Sequence, residues 1–179
     1  RGLVVGLGQI GMGYDYDHSS LDFIASHAKA LQLHPDFELA RGVDPDLERR
    51  KMFSGKYGKP AYESLGDALQ DCRPDLAIIA TPTKEHAGTF NQLLECPSLR
   101  LILCEKPLAA TLAEAETMLN LAKQQNMHVA VNYTRCYDLG IQTLFRRIQS
   151  GELGFPLKAC VWYSKGIFNN GSHFLNLLL

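Results

Sequence analysis

Three short stretches hold residue types whose combination could do chemistry. The first is "GLGQIG", residues 6–11, with the G-x-G-x-x-G spacing of a phosphate-cradling turn. Gly6 would permit the tight turn. Gly8, beside Gln9 and Ile10, would let the backbone approach a pyrophosphate, Gly11 would allow close helix–strand packing, and the helix N-terminus beyond would favour the anion. The second is "ATPTKEH", residues 80–86. It places Thr81, Pro82 and Thr83 just past an apolar run, where hydroxyls can meet a ribose or nicotinamide. Thr83 also suits the cap of a helix starting at Lys84. His86, in that first turn, reads more readily as structural than as catalytic. The third is "CEKP", residues 104–107, where an apolar run ends in Glu105 and Lys106. A lysine at a strand end is ordinarily a solvated charge, and an exposed ion pair is worth little. A central buried strand changes that, because Pro107 restricts Lys106 to extended backbone and aims the pair into a crevice.

A fourth position completes the pattern. "FELARGVD" ends in Asp44, whose carboxylate could accept hydrogen bonds from an adenosine ribose and would repel a 2′-phosphate. NAD is therefore expected over NADP, although Arg49 and Arg50 could serve a 2′-phosphate. The dinucleotide fingerprint places such an acid about 20 residues on. Here Asp44 lies 33 residues after Gly11, because "GMGYDYDHSSLDF" intervenes. That polar, Tyr/Asp-rich insert is either a solvated loop or a lid near cofactor or substrate.

The elements that must position these residues alternate. Apolar runs at 3–8, 37–44, 75–81, 100–105 and 128–133, with a short one at "PAY", predict strands. Helical spacing predicts helices over 20–33, 45–57, 64–71, 84–95 and 111–126. Thr111 and Glu114 have capping-box spacing, and so do Ser64 and Asp67. Such alternation implies parallel strands with right-handed crossovers, and strands apolar on both faces imply helices on both sides. The expectation is a doubly wound parallel Rossmann sheet in a domain spanning 1–134, followed by the start of an α+β substrate domain over 135–179. In that second part a helix is expected at 138–150 and a strand at 157–166.

The totals exclude other classes. Among 179 residues, 46% are hydrophobic and the net charge is −1, so neither a nucleic-acid footprint nor a membrane span is expected. Five cysteines without CxxC spacing are expected to be free thiols rather than disulfides or a metal site. With no secretory signal pattern in the first residues, a cytoplasmic location is expected. The chain opens on Arg1 and stops in an apolar "HFLNLLL", which reads as a truncated protein.

Taken together, "GLGQIG", "GVDPD", "ATPTKEHAGTF", "CEKPLAAT", "VNYTR" and "NNGSHFLNLL" resemble the Gfo/Idh/MocA oxidoreductases, in the family's order and across essentially the whole chain. The resemblance implies an NAD(P)-dependent enzyme that oxidises or reduces hydroxyls of sugars, cyclitols or nucleotide-sugars and assembles as a homo-oligomer. It implies Lys106 as the catalytic lysine and His173 as the catalytic histidine. Asn169 stands where the family usually has an aspartate, so it can hydrogen-bond but cannot take up a proton; Asn176 also replaces a common acid. Asn132 and Arg135 match positions on the cofactor side, and Tyr133 lines the junction with substrate. Tyr163 and Lys165 are candidate substrate contacts. In the implied mechanism His173 accepts the hydroxyl proton, Lys106 stabilises the alkoxide, and Glu105 positions the lysine. Two alternatives remain: a lyase or hydrolase that uses transient oxidation, and a non-catalytic NAD(H)-binding sensor or accessory protein.

Overall fold

The computed structural model describes residues 1–155 and 158–179. Two compact units are present, Arg1–Val131 and Asn132–Leu179.

The first unit is a six-stranded parallel sheet. Its strands are β1 (Gly2–Val5), β2 (Leu39–Val43), β3 (Ala61–Tyr62), β4 (Leu76–Ile79), β5 (Leu101–Cys104) and β6 (His128–Val131). Their order is β3-β2-β1-β4-β5-β6. The chain therefore works outward from β1 to β3, then crosses back to begin again at β4. That reversal opens a crevice beyond the carboxyl ends of β1 and β4, where doubly wound sheets bind ligands. The helices are α1 (His27–Leu33), α2 (Leu47–Tyr57), α3 (Leu65–Asp71), α4 (His86–Leu94) and α5 (Leu112–Gln124).

Alternation of side chains builds two separate cores. Leu3, Val5, Ala77, Ile79, Ile102 and Cys104 point to one face and pack with Phe90 and Leu93 of α4 and Met118 of α5. Val4, Leu76 and Ile78 point to the other, against Leu31 of α1 and Phe53 of α2. Strands with two buried faces must be apolar throughout, as these are.

Local signals fix the helix ends. Asp46 accepts from Glu48 N and Arg49 N at the start of α2, and Gly58 closes it in the left-handed region at φ 63°. Thr111 and Glu114 form a complete capping box on α5. Thr111→Ala should lower the unfolding free energy by about 1 kcal/mol, read as a lower urea midpoint at unchanged slope.

One expectation on length fails here. The helix expected over 20–33 occupies only His27–Leu33. The Lys29 ammonium donates to the carbonyls of His18, Ser20 and Phe23, which gathers these residues around it in a non-helical path. Nor does α1 start at the glycine loop. A single turn forms there instead, with Met12 N and Gly13 N donating to Gly8 O. The helix then resumes far along the chain: His27 N donates to Ile10 O and Ala28 N to Gly11 O, at 3.0 and 2.9 Å. His27 thus takes the place four residues after Ile10, and residues 14–26 are looped out of the helix.

The second unit has a 3₁₀ turn (Thr134–Tyr137), α6 (Leu139–Gln149) capped by Asp138, a π turn (Ile167–Gly171) and α7 (Ser172–Leu178). The strand expected at 157–166 is not formed over 158–166, and Trp162 is 88% exposed there. A strand exists through the ladder it makes with a neighbour. No second strand occurs among the described residues of this unit. Leu157 lies outside the described residues.

Candidate functional site

The glycine loop leaves β1 under tight steric control. Gly6 has φ +95°, and a Cβ there would sit 2.6 Å from the Ala80 backbone. A Cβ on Gly11 would lie 1.9 Å from Gly6 O. Neither position can carry a side chain without backbone movement. Gly8 differs, because a Cβ on it would meet nothing closer than the Arg49 guanidinium at 3.9 Å. Its lack of a side chain keeps the backbone accessible rather than relieving a clash. This is the division of labour a pyrophosphate-binding turn requires.

Asp44 ends β2 and is buried. Its Oδ2 accepts from Leu7 N at 2.8 Å and its Oδ1 from Asp46 N at 2.9 Å, while Arg49 Nη1 lies 3.4 Å from Oδ2. The carboxylate therefore fastens the glycine loop to the end of β2. With about four acceptor sites in all, it retains capacity for a ribose hydroxyl. Gly6, Gly8, Gln9, Ile10, Asp44 and Arg49 line one groove of about 500 Å³.

A second cavity, about 280 Å³, adjoins the first and is lined by Thr83, His86, Glu105 and Lys106. Ile10, Tyr14, Thr81 and Pro82 line both, so these four form their common wall. The Thr81 hydroxyl oxygen is buried there with no hydrogen-bond partner among the described residues. A buried unpaired hydroxyl costs free energy and is expected where a ligand supplies the partner. The open face at Gly8, the acid at Asp44 and this hydroxyl together fit a dinucleotide.

His86 is buried and clamps the two loops beside the cavity. Its Nε2 lies 2.9 Å from Thr81 O, and its Nδ1 3.1 Å from Pro107 O. Cys104 Sγ is 3.4 Å from the same Nδ1. Burial, and then the Glu105 charge, push the Cys104 thiol up to about 12, which keeps it protonated and unreactive. Thr83 does not cap α4 as expected. A 3₁₀ turn (Thr83–Glu85) precedes α4, and Glu85 N donates to Pro82 O, so the backbone closes the helix start itself.

Glu105 follows β5 and pairs with His27, Nε2 to Oε1 at 2.8 Å, with side chains only 10% and 12% exposed. Lys106 stands next to it, joined to Pro107 by a cis peptide bond. His27 escapes notice in the sequence because the looped-out residues separate it from Gly11. Once they are set aside, it falls in the first turns of the helix that follows the glycine loop. Tyr14 escapes notice for a related reason, since it reads as part of a polar insert. The signal for it is its closeness to the loop: Tyr14 N donates to Gln9 O at 2.8 Å.

In the second unit, Tyr133 and His173 meet edge to face with ring centroids 5.6 Å apart, and His173 is buried. The Arg135 guanidinium lies 4.8 Å from the centroid of Phe174. Asn132 opens the unit. Asn169 is exposed in the π turn, where its carbonyl accepts from Ser172 Oγ at 2.8 Å. Tyr163 lies against Gly171, close enough that a Cβ there would touch its ring at 3.0 Å. Lys165 is exposed, at φ 62°.

Comparison with known proteins places the chain in a family. A family model described as an oxidoreductase family with an NAD-binding Rossmann fold matches residues 1–133. An inositol 2-dehydrogenase of Leifsonia xyli subsp. xyli is 31% identical over 134 residues, 73% of this chain and 37% of that protein. The rhizopine catabolism protein MocA of Rhizobium meliloti is 30% identical over 130 residues, 72% of this chain and 39% of that protein. The chain thus spans under two fifths of the length of these relatives. The WlbA dehydrogenase of Bordetella pertussis, solved with NADH and UDP-GlcNAcA, superposes with a TM-score of 0.78 at 22% identity, over 99% of this chain and 54% of that one. An oxidoreductase of Agrobacterium radiobacter, solved with NAD⁺, L-tartaric acid and magnesium, gives 0.78 at 18% identity over 98% and 52%. Both solved structures share the fold.

Proposed function

Since this chain belongs to the Gfo/Idh/MocA oxidoreductase family, we propose that it serves an NAD-dependent enzyme acting on a hydroxyl or carbonyl of a sugar, cyclitol or nucleotide-sugar. One observation carries the reading. The groove built by the glycine loop and Asp44 shares a wall with the cavity that holds Lys106. A dinucleotide lying in the groove would end beside a lysine.

Each residue then has a task. The Gly8 backbone and the Thr81 hydroxyl hold the cofactor's pyrophosphate and ribose side, with Gln9 and Ile10 flanking them. Asp44 accepts from the adenosine ribose while holding Leu7 in place, which favours NAD over NADP. When bound, NAD supplies hydride acceptance at its nicotinamide. The Lys106 ammonium stabilises negative charge developing on the substrate oxygen. Glu105, held by His27, restricts where the adjoining lysine can go. His86 fixes the Thr81 and Pro107 loops to each other. His173 is the proton acceptor, since a histidine ordinarily titrates near neutrality. Asn169, Asn132, Tyr133, Arg135, Tyr163 and Lys165 contribute hydrogen bonds or contacts around the substrate and nicotinamide.

The partners of this reading are a small sugar-like substrate and, for the whole protein, further copies of itself in the cytoplasm. Among the described residues no helix is long and apolar enough to cross a membrane. The test is a panel of inositols, hexoses and nucleotide-sugars incubated with the full-length protein and NAD⁺, followed by absorbance of the reduced cofactor. Accumulating NADH with a polyol supports the dehydrogenase. Substrate cleavage without NADH accumulation would replace it with transient-oxidation chemistry.

A further inference from the structure

We propose that Tyr14 is a cofactor-contacting residue, its ring packing against the nicotinamide half of the dinucleotide. The inference rests on the dinucleotide reading of the groove given above. Of the four residues that line both cavities, Tyr14 is the single aromatic. A ligand that runs from Asp44 past Gly8 toward Lys106 has to cross that shared wall. Tyr14 is 57% exposed, which leaves its ring available to a planar partner.

The ring is exposed, but its support is not loose. Tyr14 N donates to Gln9 O, so the residue keeps register with the glycine loop. Its neighbour Asp15 is fully buried and accepts from Ala25 N, Ser26 N and the Ser26 hydroxyl. Tyr16 donates from its hydroxyl to Met52 O at 3.2 Å. Lys56 donates to the carbonyls of Asp15 and Tyr16, and its ammonium lies 4.6 Å from the Tyr16 ring centroid. The residues after Tyr14 are thus anchored to the start of α1 and to α2 by polar contacts, of which those between Asp15 and Ser26 are buried. A merely solvated loop needs none of them. The arrangement holds one aromatic ring at the junction while everything around it is tied down.

The experiment compares two ligands that differ by the nicotinamide. NADH affinity is read by fluorescence titration, and ADP-ribose affinity by its competition with NADH, for the wild-type protein, Tyr14→Ala and Tyr14→Phe. The expected result is a loss of NADH affinity of roughly fivefold to tenfold for Tyr14→Ala, within the upper part of the range of an aromatic stacking contact. ADP-ribose affinity should change less than about twofold, and Tyr14→Phe should bind both ligands like the wild type. Unchanged NADH affinity in Tyr14→Ala would overturn the proposal. So would an equal loss for ADP-ribose, which would put the effect on the glycine loop, or an equal loss in Tyr14→Phe, which would put it on the hydroxyl. Failure of the wild-type protein to bind either ligand would instead refute the dinucleotide reading.

Discussion

Replacing Lys106 by Met should lower turnover by about a hundredfold to a thousandfold while NADH affinity stays within about threefold. Methionine keeps the length and apolar stem of the side chain and removes the ammonium. A positioned charge that stabilises a developing oxyanion is worth a factor of about 100 to 1,000. The binding residues lie elsewhere, on the glycine loop, at Asp44 and at Thr81. The measurement is steady-state kinetics with whichever polyol the substrate panel identifies, beside a fluorescence titration with NADH. Turnover near the wild-type level would remove Lys106 from the mechanism. Lost turnover together with lost NADH binding would point to a collapsed site rather than a missing charge.

The second large effect concerns Asp15. Asp15→Ala should lower the unfolding free energy by about 3 kcal/mol, because two backbone N–H groups and the Ser26 hydroxyl lose a charged acceptor in a buried site. For a chain of this size that corresponds to a drop in Tm of roughly 6–12 °C. The exposed segment from His18 to Ile24 should also become open to proteolysis. A pH dependence accompanies this. Burial alone would raise the Asp15 carboxyl. The hydrogen bonds from the Ser26 hydroxyl, Ala25 N and Ser26 N, with the nearby Lys29 charge, outweigh burial and hold it below the ordinary carboxylate value. A carboxyl depressed in the folded state contributes stability that is complete above its unfolded pKa, about 4. That stability is lost as pH falls through the folded value. The difference in Tm between wild type and Asp15→Ala should therefore be constant at neutral pH and shrink only below about pH 4. A difference unchanged down to pH 2 would remove the ionised carboxylate as its cause.

Much of the arrangement was readable from the chain, for reasons that can be named. β1, β4 and β5 are short uninterrupted apolar runs, and only a strand buried on both faces needs such a run. Thr111 and Glu114 announced the start of α5 because a capping box is local chemistry that tertiary context seldom overrides. The glycine spacing carried over to Gly6, Gly8 and Gly11 because each does a separate steric job. Other features were hidden by long-range contacts. The helical spacing of Leu21, Ile24 and Ala25 predicted more of α1 than forms, since nothing local reveals that Lys29 will take the carbonyls of residues 18, 20 and 23. The late position of Asp44 looked anomalous for the same reason. With the 13 looped-out residues set aside, Asp44 follows Gly11 by 20 residues, the spacing of the dinucleotide fingerprint. The aromatic cluster at 158–166 has strand composition, yet composition cannot supply a neighbouring strand. Tyr14 and His27 belong to positions whose importance depends on which distant residues they meet.

The hydrogen bonds from His27 to Ile10 and from Ala28 to Gly11 have a further consequence. A segment whose two ends already meet within one helical turn is mechanically a side branch. Beyond the contacts that Asp15 makes within it and that Lys29 and Lys56 make with it, its length is not set by the strands or helices it hangs from. Closing such a branch costs only about 0.6 kcal/mol more for each doubling of its length. The junction between Gly13 and His27 is therefore a splice point, where a chain can exchange one branch for another and alter the mouth of the groove while the sheet beneath stays as it is.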